Sequence, residues 1–75
     1  MTLTQRTNET LAILMRRHRK SYSELALVLG RSRGYVTDRS CGRKPWDTDD
    51  LERISIWLDE DPEQFYTGVS YQAAA

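Results

Sequence analysis

The side chains of this sequence best equipped for chemistry are its cations. Of eleven Lys and Arg residues, ten fall within residues 1–45, against Glu9, Glu24 and Asp38, a net +7. Residues 46–75 hold only Arg53 against eight acids, a net −7, so the whole chain is neutral. Such segregation suits a basic face turned to phosphates and an acidic face turned away; it suits equally an attraction between the two halves. Bond-making chemistry has little material. His18 is the one histidine, and no second His or nearby Cys completes a metal site around it. No nucleophile has a base near it in sequence, and no glycine-rich phosphate loop occurs. The chain is therefore expected to be no enzyme, with no cofactor, no metal and no small-molecule ligand.

The elements that must position these cations read as helices. Residues 21–42, SYSELALVLGRSRGYVTDRSCG, form two short helices joined by a tight turn. Ser21 is a good N-cap, and Glu24 can reach back to its N–H as a capping box. Leu25, Ala26, Val28 and Leu29 supply helical apolar spacing. Gly30 suits the left-handed conformation that ends a helix, and Ser32 caps the next one. Helices are expected over 22–29 and 33–40. On the second, Tyr35, Val36 and Arg39 turn to one side. Arg33, Gly34, Thr37 and Cys41 turn to the other, with Asp38 at the edge. Val36 then faces the core, and the opposite face carries almost nothing apolar.

Around this pair the spacing predicts three more helices. Residues 1–6 are expected as a flexible N-terminal arm. A first helix then runs from 7 or 8 to about 19, with Leu11, Leu14, Met15 and His18 on one face. His18 is expected at the core edge. Arg16, Arg17, Arg19 and Lys20 crowd the helix end, where cations favour the dipole and phosphate contact is an added role. Residues 42–46, GRKPW, read as a turn, with Trp46 as core. A fourth helix spans 47 or 48 to 58, with Leu51, Ile54 and Leu58 as its stripe; Ile56 and Trp57 lie off it. Asp61-Pro62-Glu63-Gln64 opens a short fifth helix over 62–67 that anchors Phe65. Residues 68–75 form a tail in which Val69 and Tyr71 could pack. The expectation is one compact all-α domain of four to five helices over 7–67. A chain of 75 residues buries only about 60–65% of its unfolded surface, leaving room for one core. No apolar run approaches a membrane span and no signal peptide is visible. The lone Cys41 fits a reducing cytosol, so a cytoplasmic place and no membrane partner are expected.

"ELALVLGRSRGYV" followed by Gly42 resembles the Cro and lambda-repressor type of helix-turn-helix domain, common in phage repressors and bacterial regulators. Leu11 and Leu14 fall where that family's first helix packs. "LERISIWL" and "DPEQFY" look like its fourth and fifth helices, so roughly residues 7–66 are covered. Lys20, Arg31 and Arg39 stand where the family usually has apolar residues, and their stems would have to snorkel past the core.

The resemblance implies sequence-specific binding to double-stranded DNA, and transcriptional repression by operator occupancy. Base reading falls to Ser32, Arg33, Thr37 and Asp38, carried over from the family's third helix. Arg33 can pair bidentately with guanine, Thr37 can meet a thymine methyl, and Asp38 can accept from cytosine. Asp38 can equally form a local salt bridge with Arg39 or Arg43. Phosphate contacts are expected from Ser21, Tyr22, Ser23, Arg39, Arg43 and Lys44, with amides at the second helix's N-terminus. Gly34 either permits close approach to DNA or reflects a short helix. Two copies are expected on a pseudo-palindromic operator, pairing as a homodimer through Ile56 and Trp57, extended by Val69 and Tyr71. The rival reading is a protein-interaction module, antitoxin- or anti-activator-like, using the acidic C-terminal half and an exposed Trp57.

Overall fold

The computed structural model describes residues 2–68, and the expectations for Val69, Tyr71 and the rest of 69–75 lie outside them. Five helices follow in order: α1 Leu3–Arg17, α2 Tyr22–Leu29, α3 Arg33–Ser40, α4 Thr48–Leu58 and α5 Gln64–Thr67. The all-α expectation holds. None of these helices is long and apolar enough to cross a membrane.

The N-terminus departs from expectation. Residues 3–6 are the first turn of α1, not a loose arm. The physical reason is a second capping box: the Thr2 hydroxyl accepts from the Gln5 N–H at 3.1 Å, and the Gln5 side chain accepts from the Thr2 N–H at 2.8 Å. Together they satisfy two donors that a frayed helix end would leave to water. At the other end α1 stops two residues early. Arg19 adopts a left-handed φ of 56°, and the Lys20 N–H closes back on the Met15 carbonyl at 2.9 Å.

The core gathers one stripe from every helix: Leu11, Leu14 and Met15; Leu25, Ala26 and Leu29; Val36; Leu51, Ile54 and Leu58; and Phe65, with Trp46 from the turn before α4. Helix α1 packs on α5, and α2 on both α3 and α4. Helix α5 is a single turn, shorter than the expected 62–67. Asp61 does cap the approach, its carboxylate accepting from the Glu63 N–H at 2.9 Å. The bonds that follow, Gln64 N–H to Asp61 and Phe65 N–H to Pro62, span three residues and tighten this entry. Such a short element needs outside support. The buried Thr7 and Thr10 hydroxyls supply it, donating to the Phe65 and Gln64 carbonyls at 3.0 and 3.1 Å.

Two further contacts set the frame. Asn8 joins α1 to the far side of the molecule: its amide donates to the Arg39 carbonyl at 3.0 Å, and its oxygen accepts from the Trp46 indole at 2.8 Å. The C-terminal end of α3 and the turn after it are thereby held against α1. His18 sits half-buried at the core edge, as its face predicts, with its ring 2.6 Å from the Glu60 carboxylate.

Candidate nucleic-acid interface

The α2–α3 pair is built as its caps dictate. The Ser21 hydroxyl accepts from the Glu24 N–H, and the Glu24 carboxylate from the Ser21 N–H, both at 3.2 Å. Gly30 ends α2 at φ 66°, ψ 33°, where a side chain would be strained. The Arg31 N–H then closes on the Ala26 carbonyl at 3.0 Å, which satisfies an orphan acceptor of the helix end. Ala26 is buried, and its small side chain permits the two helices to cross closely. The Ser32 hydroxyl accepts from the Tyr35 N–H at 3.1 Å and starts α3.

Helix α3 has two faces. Val36 is buried at 1% exposure, with Tyr35 and Arg39 half-buried beside it. Arg33, Gly34, Thr37 and Cys41 are exposed on the other side, and Asp38 is intermediate between them. The exposed face carries no large apolar side chain. A Cβ added at Gly34 would meet only the Ser32 hydroxyl at 3.8 Å, an ordinary contact. The protein's own packing therefore does not require glycine there.

Ser32, Arg33 and Thr37 are each exposed. Arg33 is not free: its guanidinium donates to the Ser23 hydroxyl at 2.7 Å, which ties the first residue of α3 to the first turn of α2. One of its five donors is used. Asp38 takes the alternative named for it, pairing with Arg43 at 3.0 Å. Its carbonyl also accepts from the Arg43 and Lys44 N–H groups at 2.9 and 3.2 Å. Those bonds fold the turn through Gly42, at φ 85°, and set the two exposed cations just beyond α3. Ser21 and Ser23 are exposed at the start of α2, while Tyr22 is half-buried against the core. Burial pushes the Tyr22 phenol above its ordinary pKa, against the opposing charge of Arg16.

Three features escape sequence reading. Tyr35 donates its hydroxyl to the buried Asp50 carboxylate on α4. Burial, then this bond and the charges of Asp50 and Asp47, raise the Tyr35 pKa, while Arg39 opposes them. The second feature is Asn8, whose two bonds support the α3 terminus. The third is how the out-of-pattern cations are accommodated. Lys20 lies over the Trp57 ring at 5.7 Å, and Arg31 and Arg39 lie over Tyr35 at 4.7 and 3.5 Å. Trp57 is accordingly half-buried beneath Lys20, not exposed; Ile56 beside it is 74% exposed. The aromatic partners stand close by in sequence to Arg31 and Arg39, four residues away from each, and that spacing is the signal that would have found them.

Comparison with protein-family models, with curated proteins and with solved structures finds no match for this chain.

Proposed function

We propose that this protein binds double-stranded DNA sequence-specifically and regulates transcription, as a Cro-like or lambda-repressor-like helix-turn-helix protein acting by occupying an operator. The observation that carries the reading is α3 itself. It is an exposed helix with one buried residue, Val36, and an outward face of Ser32, Arg33, Gly34 and Thr37 fixed to α2 through Gly30. A helix that faces solvent with polar, cationic and small side chains is suited to a major groove. Arg43, Lys44, Ser21 and Ser23 flank it and suit phosphate contacts, with Tyr22 and Arg39 as half-buried contributors. Cytoplasmic action in a bacterium or in a phage-infected one follows from this reading.

Titration with duplex DNA at two salt concentrations tests it. Binding that weakens steeply with salt supports the proposal, and no binding at low salt sinks it. Selection of preferred sites from a random pool then gives the operator.

Two copies on a pseudo-palindromic site remain part of the proposal, since one small domain reads few base pairs. With Trp57 covered by Lys20, Ile56 is the main apolar contact that α4 offers. That is far below the roughly 1,000 Å² a stable interface needs. The free protein is therefore expected to sediment as a monomer and to pair only on DNA. Ile56→Glu should leave sedimentation unchanged and abolish cooperative binding; intact cooperativity would remove α4 from the dimer contact.

A further inference from the structure

Arg31, Tyr35 and Arg39 are spaced by four and form one row along α3 and the turn that precedes it. Their arrangement brings two like charges to one ring. Two guanidinium groups lie 4.7 and 3.5 Å from the same ring centroid, so they are separated by no more than the sum of those distances. Like charges so placed repel. Neither group meets a carboxylate within 4.0 Å among the described residues. The nearby acids are Asp47 and Asp50, and Asp50 is occupied by the Tyr35 hydroxyl. The Arg39 Nε is buried with no hydrogen-bond partner. The ring, rather than an acceptor, holds the Arg39 guanidinium in place, leaving its terminal donors uncommitted.

Resting on the DNA-binding reading above, we infer that Arg31 and Arg39 form a two-guanidinium site for one phosphate of the DNA backbone, with Tyr35 as the positioning residue. A phosphodiester offers two non-bridging oxygens, and each guanidinium fork can take one through charge-assisted bonds. A bound anion would offset further the repulsion between the two cations, which Asp47 and Asp50 offset in part. The ring stacks both cations and is itself fixed by Asp50, so little side-chain freedom is lost on binding. The row lies on the α4 side of α3, while Ser23 on α2 meets Arg33.

The test compares salt slopes of duplex binding for wild type, Arg31→Gln, Arg39→Gln and the double variant. One shared phosphate predicts that either single change, which leaves the other fork on that phosphate, lowers the slope by well under about 0.9, and that the double change lowers it by about 0.9. Tyr35→Leu should approach the double variant's loss with both arginines present, whereas Tyr35→Phe, which keeps the ring, should retain the wild-type slope. A double variant with the wild-type slope, or single losses of about 0.9 each that add to about twice that in the double, would overturn the shared site while leaving DNA binding standing. A second measurement is independent of DNA. Inorganic phosphate titrated into the free protein should shift the Nε–Hε resonances of Arg31 and Arg39 along one saturation curve, lost in Tyr35→Leu. If wild type fails to bind any duplex, the DNA reading falls, and this titration alone decides: joint saturation keeps the anion site, and unmoved resonances end it. It also serves should Arg39→Gln fail to fold.

Discussion

Arg33 is the residue on which base recognition turns. It opens α3 directly after the Ser32 cap, and it is exposed. Its bond to the Ser23 hydroxyl uses one donor and aims the guanidinium from a fixed point, leaving the other donors for a guanine edge. Arg33→Ala is expected to cost about 1–3 kcal/mol on the preferred site and to relax preference at one base position. Arg33→Lys should rescue only part, because the planar fork is lost. Thermal stability should move by no more than about 0.5–1.5 kcal/mol, the scale of one exposed hydrogen bond. Binding measured on every single-base variant of the operator decides the matter, since a uniform loss would make Arg33 a phosphate anchor. Asp38 carries a weaker claim to base reading, because Arg43 and the following turn already engage it.

The helices show which rules of the sequence act locally and which do not. The bounds of α2 and α3 follow from Ser21, Glu24, Gly30 and Ser32, each acting within four residues, and so they could be read in advance. The same rule is present in Thr2-Leu3-Thr4-Gln5, but few apolar residues follow it at once, so the apolar pattern alone starts α1 late. Helix α5 depends on Thr7 and Thr10, more than fifty residues away, and no local pattern carries that support. Gly34 is the element-scale test. Nothing inside the protein needs it, since an added Cβ meets only Ser32 at 3.8 Å. Gly34→Ala should therefore stabilise α3, by up to about 1 kcal/mol from helix propensity. If α3 approaches DNA as closely as proposed, the same change should weaken operator binding. A denaturant midpoint that rises while affinity falls would separate the two roles; a rise with affinity unchanged would take Gly34 out of the interface.

At the scale of the whole molecule, the segregated charges of the sequence form ion pairs, among the described residues, at Glu60. Glu60, in the turn after α4, lies 2.6 Å from the His18 ring and 3.4 Å from Arg17 at the end of α1, and it accepts from the Gln64 amide at 2.9 Å. Sequence reading placed His18 at the core edge but could not name this partner, which stands forty-two residues on. The attraction between basic and acidic halves and a phosphate-facing basic surface are therefore not exclusive. Arg17 and His18 serve the first, while Arg33, Arg43 and Lys44 remain exposed for the second. Burial disfavours the Glu60 carboxylate, but hydrogen bonds from Gln64 and His18 and the charge of Arg17 outweigh it, so its pKa lies below the ordinary 4.5. A carboxylate with a depressed folded pKa adds stability that is complete above its unfolded value. That stability is lost as pH falls through the folded one. Glu60→Gln is thus expected to destabilise the protein by about 1.5–3 kcal/mol at neutral pH, the scale of hydrogen bonds to a charged group. The difference from wild type should shrink as pH drops below about 4.5, as read by urea midpoints across pH 3–7. A difference that stays constant over that range would mean that Glu60 contributes through packing and not through its charge.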